Sequence, residues 1–186
     1  MRPLYALAVL AMLCGPVLAR EAPLATTQVQ VAFTPGDDIA ALIVQRIARA
    51  RRSVQMQAYL FTDRRIANAL LAALKRGVRV EVIGDAAQHA NGGLPHLRAL
   101  DRAGARVYLN GVHAAMHNKI VIVDGDSAAA AIVTGSYNFT PSAQSRNAEN
   151  VVVLSGSRAL ARRFVANFEQ QRQISSPWRS ASTSPP

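Results

Sequence analysis

Two hydrophobic periods take turns along the first half of the chain, and few folds accommodate that alternation. Val29, Val31 and Phe33 alternate with Gln28, Gln30 and Ala32, a period of two that predicts a strand. Pro35-Gly36-Asp37-Asp38 then reads as a turn and helix start, after which Ile39, Leu42, Ile43 and Ile47 recur at helical spacing. Val54, Met56, Ala58 and Leu60 alternate as a second strand. Asp63 is placed to cap the next helix, with Ile66, Leu70, Leu71 and Leu74 as its buried stripe and Gly77 at its end. A third strand runs through Val78, Val80 and Val82, with Arg79 and Glu81 opposite. A helix over 95–103 and a short strand at 107–109 follow. Strands separated by helices predict an α/β fold whose sheet is covered on both faces.

The second half changes pattern. Short apolar runs at 120–123 and 130–133 are joined by Asp124-Gly125-Asp126-Ser127, which reads as an antiparallel hairpin. A strand at 150–154 and a helix over 157–171, with Leu160, Phe164 and Phe168 on one face, complete the pattern. The expected sheet is therefore mixed. Residues 20–174 form one domain, and the Ser- and Pro-rich stretch 175–186 is expected to be disordered.

Residues 1–19 read as a signal peptide. Arg2 gives a positive start, Leu4 to Leu13 form an apolar run short for a membrane span, and Val17-Leu18-Ala19 suits cleavage after Ala19. The competing reading is an uncleaved anchor, against which Gly15 and Pro16 interrupt the run. Cys14 is the only cysteine, and bulky Leu13 before it argues against lipid attachment. The mature chain would lack a thiol and would depend on an ordinary core, which about 167 residues can supply. It is expected in the periplasm or secreted, with no stable membrane insertion after cleavage. The net charge is +10, and nineteen of the twenty-one basic residues are arginines. Such a surface attracts polyanions, nucleic acid or anionic lipid, although solvated arginine-rich helix faces would give the same count.

The chemistry concentrates between His117 and Asn150. On a strand, side chains at i and i+2 share a face, so His117 and Lys119 project together. The strand ending at Thr134 would run beside them and bring Ser136 and Asn138 to the same end of the sheet. Phosphodiester cleavage needs charge on the non-bridging oxygens, a nucleophile and a proton for the leaving oxygen. Lys119 offers the charge, Asn138 and Ser136 offer hydrogen bonds to phosphate, and His117 can attack through a ring nitrogen. Glu149 could hold the other ring nitrogen.

His117, Lys119 and Asp124 resemble the His-x-Lys-x4-Asp motif of the phospholipase D superfamily, and Gly135-Ser136-x-Asn138 is similar to its second element. Glu149 fits the acidic residue that follows. The Tyr59-Phe61 strand and the Arg64-Arg65 helix start are similar to the superfamily's N-terminal half. Within it the chain looks like the small bacterial endonucleases that carry one motif per chain. Ten residues separate Asp124 from Gly135, against the usual interval of about six, a longer hairpin tip whose even-numbered insertion preserves strand facing. The resemblance implies a phospholipase D-like fold and a phosphohistidine intermediate. It also implies a homodimer with the site on its two-fold axis, nucleic acid as substrate and no cofactor or metal. Asp124 and Gly135 would be structural.

Blander readings stand beside these. A lone His-x-Lys pair is more often a surface coincidence than a site; its standing comes from the ordered company of Asp124, Gly135, Ser136, Asn138 and Glu149. Ser136 and Asn138 alone could be turn formers. His113 and His117 are four apart, a zinc spacing on a helix, but Gly111 and the following strand make this a loop. His89 and His96 read as ordinary loop residues. Two further functions remain open: a phospholipase D-type lipid phosphodiesterase, and an inactive nucleic-acid-binding protein.

Overall fold

The computed structural model describes residues 27–180, so the expected signal segment 1–19 lies outside the described residues. Eight strands form one sheet. Strand β1 (Gln28–Thr34) pairs antiparallel with β7 (Glu149–Ser155), which continues to β6 (Ala131–Gly135) and β5 (Lys119–Val123). The order then passes through β2 (Ser53–Ala58), β3 (Arg79–Asp85) and β4 (Arg106–Asn110) to a short β8 (Ser176–Trp178). Among the described strand pairs, all are antiparallel except β2–β3 and β3–β4, which are parallel. Each needs a crossover, supplied by α2 (Arg64–Lys75) and by α3 (Ala86–Ala90) with α4 (Leu97–Arg102).

One face of the sheet packs under α1 (Ile39–Ala48), α2 and α4. Ile39, Ile43, Ile47, Ile66 and Leu70 are fully buried against Val54, Met56, Val82 and Val121. Burying each such side chain stabilises by about 1.5–3 kcal/mol. The other face packs under α6 (Arg158–Gln173), whose Ala161 and Phe168 meet Ile83, Ile120, Ile122 and Ile132. Helices therefore cover both faces, as the alternation predicted. The caps follow the sequence too: Asp63 accepts from the Arg65 and Ile66 amides, and Gly77 takes φ +82° just beyond α2.

Three features differ from expectation. The apolar side of β1 is open, with Val29, Val31 and Phe33 exposed by 60%, 54% and 56%, while Ala32 and Thr34 face the core. Period two showed that this side was apolar, but only the strand's place at the sheet edge leaves it uncovered. His89 lies in α3 rather than in a loop. The stretch from Ser175, expected to be disordered, is docked as far as Ser180. Strand β8 pairs with β4, Trp178 packs against the His89 ring at 4.9 Å, and Asp101 accepts from Ser180 N and Oγ at 2.8 and 2.7 Å. Its composition is that of a linker. The open edge of β4 nevertheless offers backbone partners that composition does not reveal.

Candidate active site

The site forms where β2, β5, β6 and β7 end on one side of the sheet. Lys119 opens β5 opposite Ala58, and Ile120 pairs with Thr134, so the end of β6 arrives beside the lysine. The alternation around it is physical. Asn118 points to the α6 side, donating to Gln57 Oε1 at 2.7 Å, and Gln57 donates on to Asn167. His117 and Lys119 meet on the other side, with Nζ 3.0 Å from His117 Nδ1 and 2.7 Å from its carbonyl oxygen. The His117 side chain stays exposed; Lys119 is only 7% exposed.

Burial strips water from the Lys119 ammonium and holds its pKa below the ordinary lysine value, opposed by the negative charge of Glu149. A lysine lowered in the folded state binds fewer protons there than in the unfolded chain, between its lowered value and the ordinary one. Folding stability contributed by this group therefore rises with pH across that window. Compared with Lys119→Met in urea titrations, wild type should gain relative stability as pH climbs toward the normal lysine range. A constant difference between the two would show that the lysine is not desolvated.

An ammonium can only donate, so its contact makes Nδ1 the acceptor and leaves the neutral ring's proton on Nε2. A nucleophilic Nε2 needs the other tautomer. Phosphate entering the site would compete for the ammonium and release Nδ1, coupling substrate binding to activation of the ring.

The loop after β6 is fixed by the chain after β2. The Phe139 carbonyl accepts from Thr62 and Asp63, Phe139 N donates to Leu60, and the two phenyl rings of Phe61 and Phe139 meet edge to face. Gly135 lies so close to β7 that a Cβ would collide with the Asn150 carbonyl oxygen and come within 2.9 Å of Val151 Cα. Gly135→Ala should therefore lower stability by about 1–3 kcal/mol, read as a shifted urea midpoint. An unchanged midpoint would mean that β6 and β7 can part freely.

The remaining expected residues divide. Ser136 Oγ donates to Glu149 Oε2 at 2.6 Å and accepts from Asn150 N, so its hydroxyl is committed within the protein. Asn138 Oδ1 is buried without a hydrogen-bond partner among the described residues; as an acceptor it cannot meet a phosphate oxygen, a role open to the Nδ2 donor of the same amide. Glu149 does not contact the His117 ring. Its carboxylate is held by Ser136 and by Asn147 Nδ2 at 2.9 Å, and its charge acts on Lys119. Asp124 lies at the far end of β5, where its carboxylate accepts from the amides of Arg51, Arg52 and Ser53 at 3.0, 2.7 and 2.9 Å. The longer hairpin leaves the register intact, with Val123 opposite Ala131.

Two residues at the site had no site signal in the sequence. The Tyr59 ring stands 4.5 Å from the His117 ring and 5.1 Å from Lys119 Nζ, walling both, and its hydroxyl accepts from Gln88. Asp85 at the end of β3 accepts from Met116 N and Gln88 N, both at 2.8 Å, and so anchors the loop that delivers His117. Each acts through strand adjacency. His113, in that loop, lies 3.0 Å from Gln171 Oε1.

A mixed α/β sheet with a His-x-Lys pair and a nearly buried ammonium at one end suits phosphodiester chemistry. The family described as the cardiolipin synthase, PLD-like domain matches residues 43–172. A phospholipase D of Rickettsia prowazekii (strain Madrid E) is 36% identical over 152 residues, covering 82% of this chain and 71% of that one. A mitochondrial cardiolipin hydrolase of Xenopus tropicalis is 32% identical over 131 residues, 70% of this chain and 60% of its own. The crystal structure of Nuc, a phospholipase D family member from Salmonella typhimurium, superposes with a TM-score of 0.76 at 30% identity. It covers 83% of this chain and 99% of Nuc. The chain belongs to the phospholipase D superfamily, and its general activity is that of a PLD-like phosphodiesterase.

Proposed function

We propose that the protein is an endonuclease that hydrolyses DNA, or RNA, without a metal, through a phosphohistidine on His117. The observation that carries this reading is the His117–Lys119 pair, an exposed imidazole against a nearly buried ammonium. Nε2 attacks phosphorus while Lys119 and the Asn138 amide hold the non-bridging oxygens. The P–O bond to the leaving strand breaks, and the departing oxygen takes a proton from His117 of the partner subunit. That imidazole then removes a proton from water, whose oxygen attacks phosphorus as the P–N bond to His117 Nε2 breaks. A phosphate monoester leaves and both rings are regenerated. Glu149, fixed by Ser136, tunes the charge on Lys119 rather than orienting the ring.

One motif per chain makes each site half complete, and the open Val29-Val31-Phe33 face offers an apolar surface for a second copy. The apolar run Leu4 to Leu13 supports export to the periplasm or medium. For the substrate, the charge of +10 and the likeness to single-motif endonucleases favour nucleic acid. The Rickettsia relative's description as a phospholipase D favours a second reading, cleavage of a lipid headgroup ester by the same residues.

Incubation with plasmid DNA, RNA and phosphatidylcholine vesicles in excess EDTA separates these. DNA or RNA cleavage that survives EDTA supports the proposal. Lipid hydrolysis alone would replace it with the second reading, and cleavage abolished by EDTA would end the metal-free mechanism. Subunit mixing tests the shared site. With about nine His117→Ala chains per wild-type chain, random pairing should lower activity per wild-type chain roughly ten-fold. Undiminished activity, or an active monomer by sedimentation, would contradict it.

A further inference from the structure

At the end of the sheet opposite His117, a cleft of about 760 Å³ opens between the last turns of α1 and α2 and the β5–β6 turn. Its floor is apolar and buried, from Ala50, Val78, Val123 and Ala131. Its rim carries Arg46, Arg49, Arg51 and Arg76. Arg46 and Arg76 are steadied by neutral oxygens, Gln30 Oε1 at 2.6 Å and the Ile47 carbonyl at 3.1 Å, so neither charge is cancelled. The guanidinium groups of Arg49 and Arg51 form no ion pair among the described residues. The acid in the lining is Asp124, and three backbone amides already occupy its carboxylate.

Favourable helix dipoles explain a basic residue in the last turn of each helix. They do not explain Arg51, which lies beyond α1 in the segment leading to β2, nor convergence of all four on one cleft. Among the described residues, none of the large exposed apolar side chains (Val29, Val31, Phe33, Val112, Ile174) lines it, so those that form the rim offer nothing to insert into a bilayer. Concentrated, uncompensated guanidinium charge at a concave surface suits a chain of phosphates.

We infer that this cleft is a second nucleic-acid site, which holds the sugar–phosphate backbone away from the cleavage centre. The inference rests on the nucleic-acid reading of the active site and extends it. The cleft and Lys119 are separated by the length of β5, about 13 Å through the sheet. A strand engaging both must travel round the outside, on the order of 40 Å for a domain this size, or roughly a dozen nucleotides. Long substrates are tethered at two points, whereas short ones occupy one site at a time.

The test compares Arg49→Glu/Arg51→Glu with Arg98→Glu/Arg102→Glu, an equal charge change on exposed positions of α4. Each pair is placed in the His117→Ala background for fluorescence anisotropy. Affinity for a single-stranded 40-mer should fall about ten-fold or more for the cleft pair. Its salt slope should shrink by roughly 1.4, for two phosphate contacts on a single strand. The loss should be smaller for a 4-mer, which gains nothing from tethering, and with His117 intact, hydrolysis of bis(p-nitrophenyl) phosphate should stay at the wild-type rate. An unchanged 40-mer affinity, or an equal loss in the α4 pair, would overturn the inference. So would loss of phosphatidylglycerol-vesicle binding with 40-mer binding intact, which would assign the cleft to a lipid surface. If the glutamates unfold the chain, Arg49→Ala and Arg51→Ala give the same comparison with smaller changes. Binding is read without turnover, so a wild type that cleaves no nucleic acid would refute the proposed activity without deciding the cleft.

Discussion

Replacing His117 by alanine should reduce phosphodiester hydrolysis by on the order of 10⁴-fold or more while leaving the urea midpoint where it is. The size follows from the ring's double duty in the proposed mechanism, as nucleophile in one half-site and proton donor in the other. Both halves fail together in the homodimeric variant, and what remains is whatever positioning Lys119 and Asn138 provide. The fold is spared because the His117 side chain is exposed and its polar partner is Lys119, which keeps its bond to the residue-117 carbonyl. Activity within ten-fold of wild type would remove His117 from the mechanism. A large loss of stability would mean that activity had been lost through unfolding.

Asp124→Ala should show the opposite pattern, with stability lost and chemistry kept. The carboxylate satisfies three backbone amides that lead into β2, and Ser53 among them is buried. Alanine removes both acceptor oxygens and so all three hydrogen bonds, and also takes a φ of +49°, which Asp and Asn tolerate better than most residues. Water can reach the more exposed amides of Arg51 and Arg52, so the loss should be about 3 kcal/mol, or roughly 10 °C in melting temperature. Because Asp124 stands at the other end of β5 from Lys119, kcat per folded molecule should remain within a few-fold. A folded Asp124→Ala protein with activity as low as that of His117→Ala would place the carboxylate in the chemistry.

The contrast shows what the sequence could and could not reveal. The i, i+2 spacing anticipated that His117, just ahead of β5, and Lys119, its first residue, would meet. The hairpin pattern drew β5 and β6 together because a hairpin is local. The helical stripes at Ile39–Ile47 and Ile66–Leu70 likewise identified their own buried faces. Tyr59 and Asp85 carried no such signal, since their roles depend on β2 lying beside β5 and on the β3 end meeting the loop before His117. The partners that Glu149 finds within its own chain were hidden for a related reason. Proximity to the motif in sequence suggested the imidazole, but the register of β6 against β7 places Ser136 beside the carboxylate. The docking of residues 175–180 was hidden by a composition that names flexibility and says nothing of an open strand edge nearby.

The central claim is a covalent phosphohistidine, and the stereochemistry at phosphorus tests it most directly. A dinucleotide phosphorothioate of one configuration would be hydrolysed in ¹⁸O-labelled water with EDTA, and the product's configuration read by ³¹P NMR. Two successive in-line displacements, first by His117 Nε2 and then by water, predict overall retention. Inversion would show a single attack by water and contradict the account.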